Sequence, residues 1–345
     1  MSLFVGLTWD HPRGREALQA AGFTDLRWEV QPLEGFESAP IDELAARYDL
    51  LVLDHPHLGD ALATSSLRPL DELFTPAELQ GWADEAVGPS ARSYQLDGHT
   101  WALPLDAATQ VSARRPDLLP EAPTSWMDAL ALDVPVAPSL AGPHAFLSLC
   151  SIAVSLGGDF LDRHIAVQAL AILAELACRA PEATKTLNPI GLLELMSSTD
   201  DLAYVPLVYG YVNYAPRVAF GAPPLGSRIG STIGGTGIAI TRRCEPTPEL
   251  LDHLRWLMSP QTQAGFIPSN AGQPSARSAW QSLGPFYTDT LDTIENSWVR
   301  PRFAGYIPFQ SRASAIIRDG LFGPDKHSDP TTIDRVLAAY REATA

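Results

Sequence analysis

Short segments rich in apolar residues recur early in the chain, and the stretches between them read as helix. Phe4 to Thr8, Leu26 to Val30 and Leu50 to Leu53 read as strands, the last a continuous apolar run; the intervening helices are Gly14 to Ala21, stopped by Gly22, and Asp42 to Arg47. Continuous apolar runs of this length suit strands covered on both faces, so the alternation predicts an open α/β lobe. Helices are expected over 144–156, 164–179 and 189–198, followed by a strand at 202–208. Nothing repeats internally.

The most informative stretch is 98–132. Asp97-Gly98, flanked by β-favouring Tyr94 and Trp101, predicts a two-residue hairpin turn, because that pair accepts positive φ angles. Ala102 to Ala113 then lacks helical periodicity, and Pro104 disfavours helix at its own position and the one before it. A helix begins near Trp126, capped by Thr124 or Ser125, with Asp128 adding a favourable charge in its first turn. Far downstream, the glycine-rich Ser231 to Thr241 reads as a strand. A helix from about Thr247 to Met258 follows it, then another starting at Ser259-Pro260-Gln261-Thr262-Gln263, then a loop at Asn270-Ala271-Gly272-Gln273-Pro274.

In that order these segments resemble the extracellular solute-binding proteins of ABC transporters, family 1, of the maltose-binding type. Residues 98–132 match the family's first inter-lobe crossover, and the glycine-rich strand is of the kind that carries the chain back to the first lobe. The resemblance covers nearly the whole chain. It implies a two-lobed type II periplasmic-binding-protein-like α/β fold, each lobe a mixed sheet flanked by helices, with a ligand cleft between the lobes. The expected lobes are 1–109 with 240–296, and 110–239 with 297–345. No low-complexity linker separates them, which favours interleaved lobes.

Composition agrees. At 345 residues, 46% hydrophobic and 19% charged, the chain is long enough for two cores, since single cores stop growing near ~250–300 residues. A formal net charge of −16 argues against a nucleic-acid partner, because phosphate neutralisation needs clustered Lys and Arg. Only Lys185 and Lys326 are lysines. Cys150, Cys178 and Cys244 are far apart in apolar surroundings and read as buried free thiols, with neither metal nor redox spacing. No stretch reaches the ~20 apolar residues that span a bilayer. Phe4 to Trp9 already reads as the first strand, with no secretion segment or lipid-accepting cysteine before it. Either a removed export signal preceded Met1-Ser2-Leu3, making the protein periplasmic or extracellular, or the chain is a cytoplasmic relative.

Ligands of open α/β sheets gather at the carboxyl ends of strands. The first such loop holds Trp9, Asp10, His11 and Arg13: a stacking ring, an acceptor, a switchable group and a forked donor suited to a carboxylate. Its structural alternative is Asp10 capping the helix and pairing with Arg13 on the surface. The second loop holds Asp54, His55 and His57, with Asp54 as an Asx acceptor in the alternative reading. By position in the resembled family these two loops touch ligand. The resemblance likewise implicates His144 and Phe146 at a helix start, Tyr209 and Tyr211 as an aromatic platform, and Tyr306, Phe309 and Gln310 as a cover. Tyr209 and Tyr211 share one face if the chain stays extended; core packing is the alternative for each. Gly234, Gly235 and Thr236 offer backbone N–H groups, and Asp106 completes the candidate set.

The resemblance thus implies a bacterial ABC importer's receptor that captures a sugar or small organic acid by hinge closure, with hinges near Asp106 to Gln110, Gly234 to Ile240 and Asn296 to Pro301. A monomer is expected, with a permease as partner and no cofactor or resident metal. Two competing readings stay open. One is a cytoplasmic enzyme or sensor on the same fold using His11, His55, His57 or His144 oriented by Asp10, Asp54 or Asp106, although no nucleophile elbow, metalloprotease helix, phosphate loop or dinucleotide fingerprint is present. The other is a ferric-ion receptor using Tyr209, Tyr211, His11 and Asp54, although Gly210 splits the tyrosines.

Overall fold

A computed structural model describes residues 4–323 and 329–345. The chain divides into two compact units, and it passes from one to the other five times. Unit 1 is Met1–Ala108, Gly234–Gly284 and Val299–Ile307; unit 2 is Thr109–Ile233, Pro285–Trp298 and Pro308–Ala345.

The strands in chain order are β1 (Phe4–Trp9), β2 (Leu26–Gln31), β3 (Leu50–Leu53), β4 (Gln95–Leu96), β5 (His99–Thr100), β6 (Leu103–Arg114), β7 (Tyr204–Tyr209), β8 (Ala219–Gly221) and β9 (Ile233–Ile240). In unit 1 the order is β2-β1-β3-β9, continuing to the first half of β6. β1 runs parallel to β2 and β3, whereas β9 returns antiparallel to β3, from Leu53↔Gly237 to Leu50↔Ile240. The unbroken apolar run of β3 has the cause expected of it. Leu50 and Val52 join one core with Phe4, Trp9, Leu105 and Ile238, while Leu51 and Leu53 join a second core with Leu7, Ile41, Tyr94 and Ala239. Successive side chains face opposite sides, and both sides are covered.

The Asp97-Gly98 turn forms between β4 and β5 with φ of 53° and 80°, the doubly positive geometry that this pair tolerates. β6 is twelve residues long and buried except at Arg114. The helix Trp126–Ala131 opens on a full capping box, in which Ser125 receives the Asp128 N–H and Asp128 receives that of Ser125. In β9, Gly235 has φ +88°, and a Cβ there would lie 2.4 Å from the Asp106 carbonyl oxygen. Only glycine fits, because both the backbone angle and the neighbouring strand exclude a side chain.

Unit 2 pairs the second half of β6 antiparallel with β7 and β8. Its helices include His144–Ser155, buried at every position, Arg163–Arg179, Pro189–Ser198 and Pro330–Ala343. Beside the segments where the chain enters and leaves this unit lies a buried hydroxyl cluster. Thr109 Oγ1 is 2.5 Å from both Ser231 Oγ and Ser297 Oγ, Ser231 donates to the Gln110 carbonyl, and Ser151 bridges Gln110 Oε1 and Thr232 Oγ1 at 2.5 and 2.8 Å.

Several expectations change. Residues 234–239 fall in unit 1, where β9 pairs with β3 from Gly237 on, while Thr109 and 285–296 fall in unit 2 with 297–298, a segment tied there by the Trp298 N–H to Ser231 carbonyl bond. Residues 299–307 return to unit 1. The helix expected from Ser259 contains a π turn at Thr262–Phe266, and helices at Leu33–Ser38 and Tyr306–Phe322 carried no strong pattern. Cys150 and Cys244 are buried, but Cys178 is exposed, one residue past the buried Ala177 on its helix. None of the described helices is long and apolar enough to cross a membrane.

Replacing Gly235 with alanine should lower unfolding free energy by about 2 kcal/mol or more, combining a strained φ with a clash against β6. Chemical denaturation of the variant against the native chain measures it.

Candidate functional site

In unit 1 the structure brings four of the candidates together. Trp9, Arg13, Asp106 and Thr236 line one cavity of about 20 Å3 with Gln273, Gly14 and several aliphatic side chains. That is room for about one water molecule. Arg13 stands in the first turn of the helix Pro12–Ala20 and Asp106 stands in β6, and the two meet in a buried, bidentate ion pair: Nε to Oδ2 is 2.7 Å and Nη2 to Oδ1 is 2.6 Å. Both side chains are about 95% buried, with 4% and 6% exposed. Trp9 Nε1 and Thr236 Oγ1, on residues of the cavity wall, are buried with no hydrogen-bond partner among the described residues.

This arrangement corrects the reading of the first loop. Trp9 is not an open stacking platform: its ring lies in the core, 5.1 Å from Phe36 between centroids, and a Cβ on Gly14 would come within 2.4 Å of it. His11, not Asp10, caps the helix, its Nδ1 accepting the Arg13 N–H at 3.2 Å. Asp10 is exposed and pairs with Arg15 at 2.9 Å, which leaves Arg13 to Asp106. The forked donor expected for a ligand carboxylate already holds a protein carboxylate.

The second loop forms a separate cluster. Asp54 caps the one-turn helix His55–His57 by accepting the His55 N–H at 2.9 Å, and it ion-pairs with the buried Arg300. His55 is fully buried, Nδ1 lying 3.1 Å from Asp54 Oδ1, and its ring meets Tyr94 edge-on at 6.3 Å. His57 Nε2 lies 3.2 Å from the Phe36 carbonyl and so carries the proton there. Sequence reasoning missed Arg300, which pairs across 246 positions. Burial opposes the Asp54 charge, but Arg300 and His55 together hold its carboxyl well below the usual range. Burial lowers His55 to about 4, with Arg300 adding to the effect, and lowers His11 to about 4, with Arg13 and Arg15 adding to it. His57 is lowered by burial too.

In unit 2, His144 is buried and meets the half-buried Tyr209 edge-on at 5.9 Å. Tyr211 lies past the end of β7, buried beside Tyr214, so it does not repeat the Tyr209 environment. Phe146 and Phe309 are not ligand walls. They build an aromatic core with Phe160, centroids 5.1 to 6.1 Å apart. Gln310 is buried in unit 2, whereas Tyr306 is buried in unit 1 against Phe303. Gly234 and Gly235 are strand residues of β9. Among the described residues no group of three or more His, Cys, Asp or Glu side chains is placed to hold a metal ion.

No protein-family model matches the chain, and no curated protein does either. Solved structures match it end to end. An ABC-transporter solute-binding protein from Agrobacterium radiobacter K84, in complex with ribitol, aligns with a TM-score of 0.83 at 19% identity, over 99% of this chain and 98% of that one. Maltose-bound MalE3 of T. maritima gives 0.80 at 17% over 100% and 99%, and a solute-binding protein from Agrobacterium vitis S4 with bound D-mannitol gives 0.73 at 15% over 100% and 98%. The chain therefore has the type II periplasmic-binding fold of these ABC-transporter solute-binding proteins.

Two outcomes follow from the charges. Arg13→Met should destabilise by about 3–5 kcal/mol, because it leaves Asp106 buried and unpaired, while Arg13→Met with Asp106→Leu should recover most of the loss in denaturant titrations. For His11 and His55 the folded pKa lies below the unfolded value near 6.5, so the unfolded chain takes up protons first and stability falls as pH drops from 6.5 toward 4. Between pH 6.5 and 5 the loss should be about 1.6 kcal/mol for each histidine, and thermal unfolding of His55→Asn should show a shallower pH slope than the native chain.

Proposed function

We propose that this chain is a solute-binding protein, the receptor component of an ABC importer, which captures a small hydroxylated molecule: a sugar or polyol, or a small organic acid. The observation that carries this reading is the end-to-end likeness to solute-binding proteins, with a TM-score of 0.83 to one in complex with ribitol. Maltose and D-mannitol in two further relatives of the same fold belong to the same chemical class.

The candidate residues in unit 1 support the reading at the level of chemistry. Trp9, Thr236 and Gln273 offer neutral polar groups beside an ion pair that carries no net charge. Such groups suit hydroxyls, which donate and accept at one atom. The expected capture by hinge closure belongs to the proposal: ligand stabilises one state by its differential affinity and shifts the population toward it. So do a permease partner, a monomeric receptor and action outside the cytoplasmic membrane. The role is binding without chemical turnover.

Calorimetric titration with a panel of polyols, mono- and disaccharides and small organic acids tests the reading. At least one should bind with micromolar affinity or better, raise unfolding free energy by about 2.7 kcal/mol at a hundredfold excess over its Kd, and reduce the radius of gyration in solution scattering. Release of an altered product from any panel member would replace the receptor reading with an enzymatic one.

A further inference from the structure

The Arg13–Asp106 pair restricts which of the two solute classes the unit 1 cavity admits. A lone buried arginine on a cavity wall is an anion site; this one is not alone. Both its Nε and its Nη2 bond a carboxylate of the same chain at 2.7 and 2.6 Å, in the fork-to-fork geometry that leaves least of its charge for a third group. A ligand carboxylate entering beside it would displace Asp106 or sit against it, and like charges in a buried site repel strongly. The remaining polar groups on the wall are uncharged. Trp9 Nε1–H is a donor only, and the Thr236 hydroxyl both donates and accepts; each is buried on a residue lining the cavity and has no partner among the described residues. The space of about 20 Å3 fits one oxygen-sized group.

We propose that Asp106 is a specificity-determining residue: by cancelling the charge of Arg13 it makes this cavity a site for a single hydroxyl of a neutral polyol or sugar and excludes the corresponding acid. The inference rests on the solute-binding reading above and narrows it. Asp106 acts through Arg13, so its test compares ligands of one size that differ in charge. Asp106→Asn keeps the shape and removes the negative charge that Arg13 holds through two bonds. Arg13→Gln with Asp106→Asn removes both charges and returns the cavity to neutrality.

Titration calorimetry at low salt with ribitol, mannitol, ribonate and mannonate supplies the comparison. The native chain should bind a polyol at least tenfold more tightly than its acid. Asp106→Asn should move that ratio at least tenfold toward the acid, and the double variant should move it back. Polyol binding by the native chain with an unchanged ratio in Asp106→Asn overturns the role of Asp106 and leaves the receptor reading standing. Acid bound by the native chain as tightly as the polyol overturns the exclusion, again with the receptor reading intact. If Asp106→Asn fails to fold, the native ratio together with that of the double variant still decides: a native preference for acid, or a double variant that itself prefers acid tenfold, ends the proposal. A native chain that binds no sugar, polyol or acid across the wider panel ends the receptor reading and this inference together.

Discussion

Strands β6 and β9 are buried almost from end to end, so each backbone N–H and C=O along them must meet another protein group. Much else is arranged around that demand. β3 meets β9 from Gly237 to Ile240, β7 and β8 meet the far half of β6, and Gly235 lets β9 approach the Asp106 carbonyl without a side chain between them. Where the strands enter unit 2, hydroxyls take over: Thr109 bonds both Ser231 and Ser297, Ser231 serves the Gln110 carbonyl, and Thr109 reaches that of Thr232. A hydroxyl can donate and accept at one atom, which suits a place where regular pairing changes. The ion pair in unit 1 belongs to the same framework, because Asp106 is itself a β6 residue.

Local features of this fold were legible because local physics causes them. The apolar run Leu50–Leu53 reads as a doubly covered strand because both faces are covered, and Asp97-Gly98 reads as a turn because both residues have positive φ. Ser125 and Asp128 announce a helix start by capping it. By contrast, the unit boundaries depend on pairings such as Trp298 with Ser231 that connect distant stretches.

The site was half legible for the same reason. Sequence could find Arg13 and Asp106 as charged residues near strand ends, but not that they hold each other across 93 positions; that pairing reverses the meaning of Arg13 from anion receptor to neutralised partner. Arg300 gave no sign that it would sit on Asp54. The face of Trp9 was misjudged as a stacking platform because an aromatic at a strand end is equally fit for ligand or core, and the flush contact with Gly14 shows that face to be packed. Phe146 and Phe309 went the same way, into the aromatic core of unit 2.

The buried histidines of the chain are unevenly shared. Among the described residues, His11, His55, His57 and His253, whose protonation burial opposes, all lie in unit 1. The hydroxyl cluster of unit 2 binds no proton in that range. In each of these histidines the fold favours the neutral ring, so acidification draws free energy from unit 1 through all four.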